Sequence, residues 1–207
     1  MTHALRPKAT IVAFDGLVVD SEAARAQVVA ETVTAEFAPL DAAQVVPLLA
    51  GRSLDEAVEA ALTLASRSRG APCDATARDL AVLRARRSYS AIVAHGLPMC
   101  EGATTWIRAR VASHGRLILR ADGVRREVEQ LLLYSGLDSL IAFARCADDL
   151  PRSAGMSSLE NSWQAIMTRV ASQGVPPADC EAFERASVCA DAARQAGATV
   201  ERTEALG

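Results

Sequence analysis

Lys8-Ala-Thr-Ile-Val-Ala-Phe-Asp-Gly-Leu-Val-Val-Asp-Ser-Glu22 opens with an apolar run, Thr10 to Phe14, that ends at Asp15-Gly16. A short apolar run closed by glycine suits a buried parallel strand. Beyond it, from about Ser21 to Ser68, the pattern is helical, with breaks expected near Pro39, Pro47 and Gly51. Ser53-Leu-Asp-Glu56 has capping-box spacing ahead of Ala57, Ala60, Ala61 and Leu64, so a helix starts there. Gly70-Ala-Pro72 interrupts, and Asp74 caps another long helix that counts Leu80, Leu83, Ile92 and Val93 among its apolar positions and ends at Gly96-Leu-Pro98.

Strand and helix alternation resumes after Gly102. Helices are expected over 103–113, 124–135, 158–172 and 186–195, and strands over 117–121, 140–146 and 180–183. A last strand at Thr199-Val200 is weak or at an edge, because Glu201 and Arg202 suit a core poorly. Such alternation implies an α/β fold, a Rossmann-like parallel sheet covered on both faces. The all-helical block reads as an inserted cap, which divides the chain into a core of residues 1–19 and 96–207 and a helical cap of residues 20–95. In a sheet of this kind ligands bind beyond the carboxyl ends of the strands. Those ends are Ala13 to Asp15, Ala121 to Gly123, Cys146 to Asp149 and Glu184-Arg185.

The 207 residues are 50% hydrophobic with a net charge of −3, which allows a full core and gives no sign of nucleic acid or an anionic membrane as partner. Five cysteines, Cys73, Cys100, Cys146, Cys180 and Cys189, show no C-x-x-C spacing, so neither a disulfide framework nor a zinc site is expected. Cys146 and Cys180 lie in apolar surroundings that suit buried small hydrophobes. The N-terminus has no signal-like region and no apolar run approaches membrane-spanning length, so a cytoplasmic protein is expected.

The opening stretch resembles the first motif of the haloacid dehalogenase (HAD) superfamily, Asp-x-Asp-Gly followed by an apolar run and Asp-Ser-Glu. Asp15, Gly16, Asp20, Ser21 and Glu22 match, but the position of the attacking aspartate is Ala13. The resemblance is nearest to the branch of β-phosphoglucomutase and phosphoglycolate phosphatase. Gly51-Arg-Ser-Leu54, Leu97-Pro98 with Gly102, and Val175-Pro-Pro-Ala-Asp-Cys180 also read like that branch.

The resemblance implies a nucleophilic aspartate, an acid/base aspartate two residues later, a Ser or Thr and a Lys that hold phosphoryl oxygens, and an acidic pair for Mg²⁺. In this chain Ala13 has no carboxylate to form an aspartyl-phosphate. The second motif, Leu117 to Glu129, places Ala121 at the hydroxyl position. The third, Asp148 to Gly155, places Ala154 at the lysine, and the sole lysine is Lys8. The fourth, Cys180 to Ala186, keeps Phe183 and Glu184 but has Arg185 where an aspartate is due. A guanidinium cannot ligate Mg²⁺, so the resemblance implies a lost metal site and no cofactor. A shifted register would make Asp15 the nucleophile at the expense of the acid/base aspartate.

The vestigial pocket comprises Ala13, Asp15, Ala121, Asp122, Ala154, Glu184 and Arg185. Asp15 is expected to cap its loop and pair with a cation. Arg185 is expected to replace the metal as countercharge for Asp15 and Glu184. Arg120, Arg125 and Arg185 form a possible anion site, and Arg125-Arg126 open a helix where a phosphate can sit. Asp20-Ser21-Glu22 is expected to cap the first cap helix and fix the linker. Trp106 and Trp163 lie within helices and suit packing. His3, His95 and His114 fall away from the strand ends, so no Cys-His or Ser-His-Asp mechanism is supported.

The expectation is a HAD-like protein with a degenerate site: a pseudophosphatase that binds a partner protein or a small anion. Alternatives are a divergent phosphatase or phosphomutase acting on a small phosphorylated metabolite, and a structural or regulatory subunit. A homodimer is compatible with the sequence, which specifies no surface for it.

Overall fold

A computed structural model describes residues 9–115, 117–149 and 157–206. The chain divides into two compact units, residues 1–20 with 98–207, and residues 21–97.

The first unit is built on a five-stranded parallel sheet of order β3-β2-β1-β4-β5. The strands are β1 (Ala9–Ala13), β2 (Leu117–Arg120), β3 (Ile141–Arg145), β4 (Cys180–Glu184) and β5 (Thr199–Arg202). All five residues of β1 are buried, as expected of a central strand with both faces covered. β5 is the edge strand anticipated from its charges, with Glu201 and Arg202 exposed. Helices α5 (Ala103–His114), α6 (Arg125–Ser135), α7 (Ser158–Ser172) and α8 (Ser187–Gln195) alternate with the strands. Trp163 of α7 is fully buried beside Ile11, Ile118, Ala182 and Cys189.

The second unit contains α1 (Glu22–Glu36), α2 (Ala42–Leu49), α3 (Leu54–Arg69) and α4 (Ala75–His95). The Ser53–Glu56 capping box starts α3, and the Asp74 carboxylate accepts the Ala77 N–H at 2.8 Å to start α4. Pro47 does not break the chain as expected. It sits inside α2, and the helix ends two residues later at Leu49, within one turn of it. Leu80 and Leu83 are exposed; α4 buries Ala81, Ala85, Tyr89 and Val93 instead. All four follow one another at intervals of four residues, the helical spacing that keeps neighbours on one face.

Two strands of connection join the units. The Asp20 N–H donates to Pro98 O at 2.9 Å, and the Cys100 N–H donates to Val18 O at 3.0 Å. These backbone bonds hold the two connecting segments side by side. Ser21 does not cap α1: its side chain makes no capping bond, and its backbone is already helical at φ −96° and ψ −15°. An N-cap side chain reaches its amides from an extended backbone, which explains the difference.

Candidate functional site

The chain runs from β1 outward through β2 to β3, then crosses to β4 on the other side of β1. The strand order therefore reverses beside the carboxyl end of β1, the place where ligands bind in open α/β sheets. Three residues meet there. Ala13 is in register with Arg120 of β2, and Val12 with Phe183 of β4, so Glu184 flanks Ala13 on the other side. Neighbours at one level of a parallel sheet share a face, and β2 and β4 stand about 10 Å apart, two strand spacings.

Arg120 and Glu184 bridge that gap. Arg120 Nε donates to Glu184 Oε1 at 2.7 Å and Nη2 donates to Oε2 at 3.2 Å. Arg120 Nη1 donates to Asp122 Oδ1 at 2.5 Å. Arg120 is 3% exposed, Glu184 1% and Ala13 1%, so the bidentate pair and the methyl beside it are sealed from solvent. Burial pushes the Glu184 carboxyl up from its ordinary value, and Arg120 draws it back. Burial also opposes the Arg120 charge, but Asp122 and Glu184 outweigh it and hold the guanidinium charged. Burial raises the nearby Cys189 thiol to about 12, which keeps it protonated and unreactive.

Asp15 lies in the turn after β1. Gly16 supplies φ 82° there, and its N–H donates to Val19 O at 2.9 Å. Asp15 Oδ2 accepts the Asp122 N–H at 2.8 Å, which ties the turn after β1 to the turn after β2. Asp15 thus bonds to a second loop, whereas it was expected to cap its own and pair with a cation.

The countercharge of Glu184 is Arg120, not Arg185. Arg185 lies in the bend just past the end of β4, whereas Arg120 lies within β2 at the level of Ala13. Arg185 Nε donates to Glu204 Oε2 at 3.1 Å on the exposed surface. Ala121 is buried and donates its N–H to Arg145 O at 2.8 Å. Ala154 lies outside the described residues.

The start of α6, which the sequence offered as a possible place for a phosphate, is taken by the chain itself. The Arg125 N–H donates to Asp148 Oδ1 at 2.8 Å. The Arg125 side chain donates to both Asp149 oxygens, at 2.9 and 2.7 Å, and to Ala144 O at 3.1 Å. Burial alone would raise the Asp149 carboxyl, but the Cys146 N–H and Arg125 outweigh it and hold it below its ordinary value. Asp148 and Asp149 were missed as partners of this helix. So was the Arg120–Glu184 bridge, although a single cation in Leu117-Ile-Leu-Arg120, an otherwise apolar strand, signals a buried pair.

Both tryptophans pack as expected: Trp163 in the core, and Trp106 edge-on to Phe183 with ring centres 4.8 Å apart. His95 ends α4, and its Nδ1 lies 2.7 Å from Ala91 O. All five cysteines are free, with Cys146, Cys180 and Cys189 buried. Among the described residues, no His, Cys, Asp and Glu side chains form a group of three or more that could hold a metal ion. No helix among them is long and apolar enough to cross a membrane.

No family model and no curated protein matches the sequence. Solved structures do match the fold. A predicted phosphoglycolate phosphatase from Haemophilus somnus superimposes with TM-score 0.79 at 16% identity, over 93% of this chain and 83% of that one. The β-phosphoglucomutase of Clostridium difficile gives TM-score 0.74 at 14% identity, over 93% and 82%. CbbY of Rhodobacter sphaeroides, solved with phosphate, gives 0.71 at 18% identity, over 95% and 86%. The chain has the haloacid dehalogenase fold. In this HAD-fold protein the bridge of Arg120 and Glu184 spans the end of the central strand, beside Ala13.

Proposed function

We propose that this HAD-fold protein is a pseudophosphatase, a binding protein that does not turn over phosphate esters. The bidentate Arg120–Glu184 bridge beside Ala13 carries this reading. Phosphoryl transfer on this fold would need a nucleophile and cations at the end of β1. Ala13 offers a methyl group, and the cation beside it is committed to protein carboxylates. The donor set does not fit magnesium either. Mg²⁺ demands near-octahedral oxygen ligands, and both Glu184 oxygens accept from a guanidinium. Arg120 and Arg125 are neutralised by the chain's own carboxylates, which favours a protein partner over a small anion.

The test is phosphate release from phosphoglycolate, sugar phosphates and an aryl phosphate, with and without Mg²⁺. No release above the buffer rate is expected. Metal-dependent release would overturn the reading. Ala13→Asp is also expected to remain silent, because a new carboxylate beside Arg120 competes with Glu184 for the guanidinium instead of facing a substrate. Substantial turnover by that variant would mean the pocket retains its machinery.

A further inference from the structure

We propose that the outer face of α4 is a self-association surface, on which a second copy of this chain packs its own α4 antiparallel. The inference is independent of whether the pocket turns over substrate. Leu80 and Leu83 are 48% and 46% exposed, although the helix is otherwise rich in charge. They belong to a row, Thr76, Leu80, Leu83 and Arg87, whose spacing alternates four and three residues. That spacing keeps a seam on one side of a helix and is what two paired helices require. The face that α4 buries within its own unit, Ala81, Ala85, Tyr89 and Val93, is a different one. The seam is therefore left over after the unit has formed its core.

The charges beside the seam choose the occupant. When two antiparallel helices are related by a two-fold axis, each flank of one meets the same flank of the other. Centred near Val82, this pairing sets Leu80 against Leu83 of the second copy, and Thr76 against Arg87. Asp79 and Arg86 lie on one flank of the seam, seven residues apart, with Val82 close to their midpoint. Each Asp79 then faces Arg86 of the other copy, twice over by symmetry. The Arg86 side chain is 62% exposed and donates from both Nε and Nη2 to the Asp55 carboxylate, so the incoming Asp79 shares this guanidinium with Asp55, as Asp122 shares Arg120 with Glu184. A parallel pairing would instead bring each Asp79 to Arg84, which Glu36 already holds at 2.7 Å, and leave Arg86 facing Ala91. Leucines at the centre, opposite charges at the flank and self-complementarity about one axis together specify another α4. The apolar seam is short, so the dimer is expected to be weak and concentration-dependent.

Sedimentation or light scattering across a concentration series tests this on the full chain. The weight-average mass is expected to double as concentration rises. Leu80→Glu/Leu83→Glu should hold it at the monomer value, with an unchanged circular dichroism spectrum because both side chains are exposed. Asp79→Arg should shift the midpoint to higher concentration by placing like charges opposite one another. Direction is read by crosslinking: Thr76→Cys mixed with Arg87→Cys should join across copies, and neither should do so alone. A wild-type chain that stays monomeric at the highest concentration reached would overturn the proposal. So would a dimer that survives the double leucine change, or a Thr76→Cys chain that crosslinks to itself through that residue.

Discussion

Glu184 is a carboxylate with about 1% of its surface exposed, and a charge so buried persists only when paired. Its partner Arg120 comes from the far side of β1, so one contact links three strand ends. Arg120→Met leaves Glu184 and Asp122 without that cation and is expected to lower stability by about 3–5 kcal/mol. Arg120→Met/Glu184→Leu removes both charges and should recover most of the loss, because a buried ion pair and an apolar pair of similar volume are often close in energy. Denaturant unfolding of the two variants measures the difference. Equal losses in both would mean the bridge is not a coupled unit. This contact was half legible in the sequence. The resemblance suggested Ala13, Ala121 and Arg185 as departures from a catalytic pattern, and that reading belongs to the proposed function. The identity of the countercharge could not be read, because Arg120 and Glu184 are 64 residues apart and meet only through strand order.

At the level of elements, local signals were read well and relayed ones were not. Ser53 with Glu56, and Asp74, announced the starts of α3 and α4 because the capping atoms lie within three residues of each other. The start of α6 could not be read this way. Its N-cap Val124 has no side-chain cap bond, and the missing acceptor is Asp148, delivered by the turn after β3. Asp149 from the same turn grips Arg125, so the helix and the strand end are joined by charge. This junction has a pH dependence. The Asp149 carboxyl is held below its ordinary value of 3.8, so its stabilisation is complete above that value. It is lost as pH falls through the lowered folded value, where the proton displaces Arg125. Acid unfolding should therefore show a limb below about pH 4 to which Asp149 contributes, and Asp149→Asn should flatten that limb while lowering stability at neutral pH. Parallel acid limbs in wild type and variant would remove Asp149 from the account.

At the scale of the whole molecule, the sequence carried the architecture through one interruption. An apolar strand precedes an all-helical block, and strand–helix alternation then resumes, which is how an insertion into an α/β sheet must look along a chain. Strand order was beyond periodicity, because alternation constrains neighbours and not the side on which each strand is added. The structure adds a consequence for folding. The cluster around Trp163 draws only on residues 9–11 and on residues from 118 onward, so that core is complete without the helical unit. The two chain ends that the helical unit separates are one hydrogen bond apart, Asp20 N–H to Pro98 O at 2.9 Å. Replacing residues 21–97 by a short glycine-serine linker therefore closes a gap that native geometry already holds shut, and loop closure over so small a gap is inexpensive. The shortened chain is expected to unfold cooperatively on heating, with the near-ultraviolet signal of buried Trp163 retained and helical circular dichroism reduced by the loss of α1 to α4. A chain that lacks a cooperative transition would show that the sheet needs the helical unit to fold, and that the insertion contributes to the core itself.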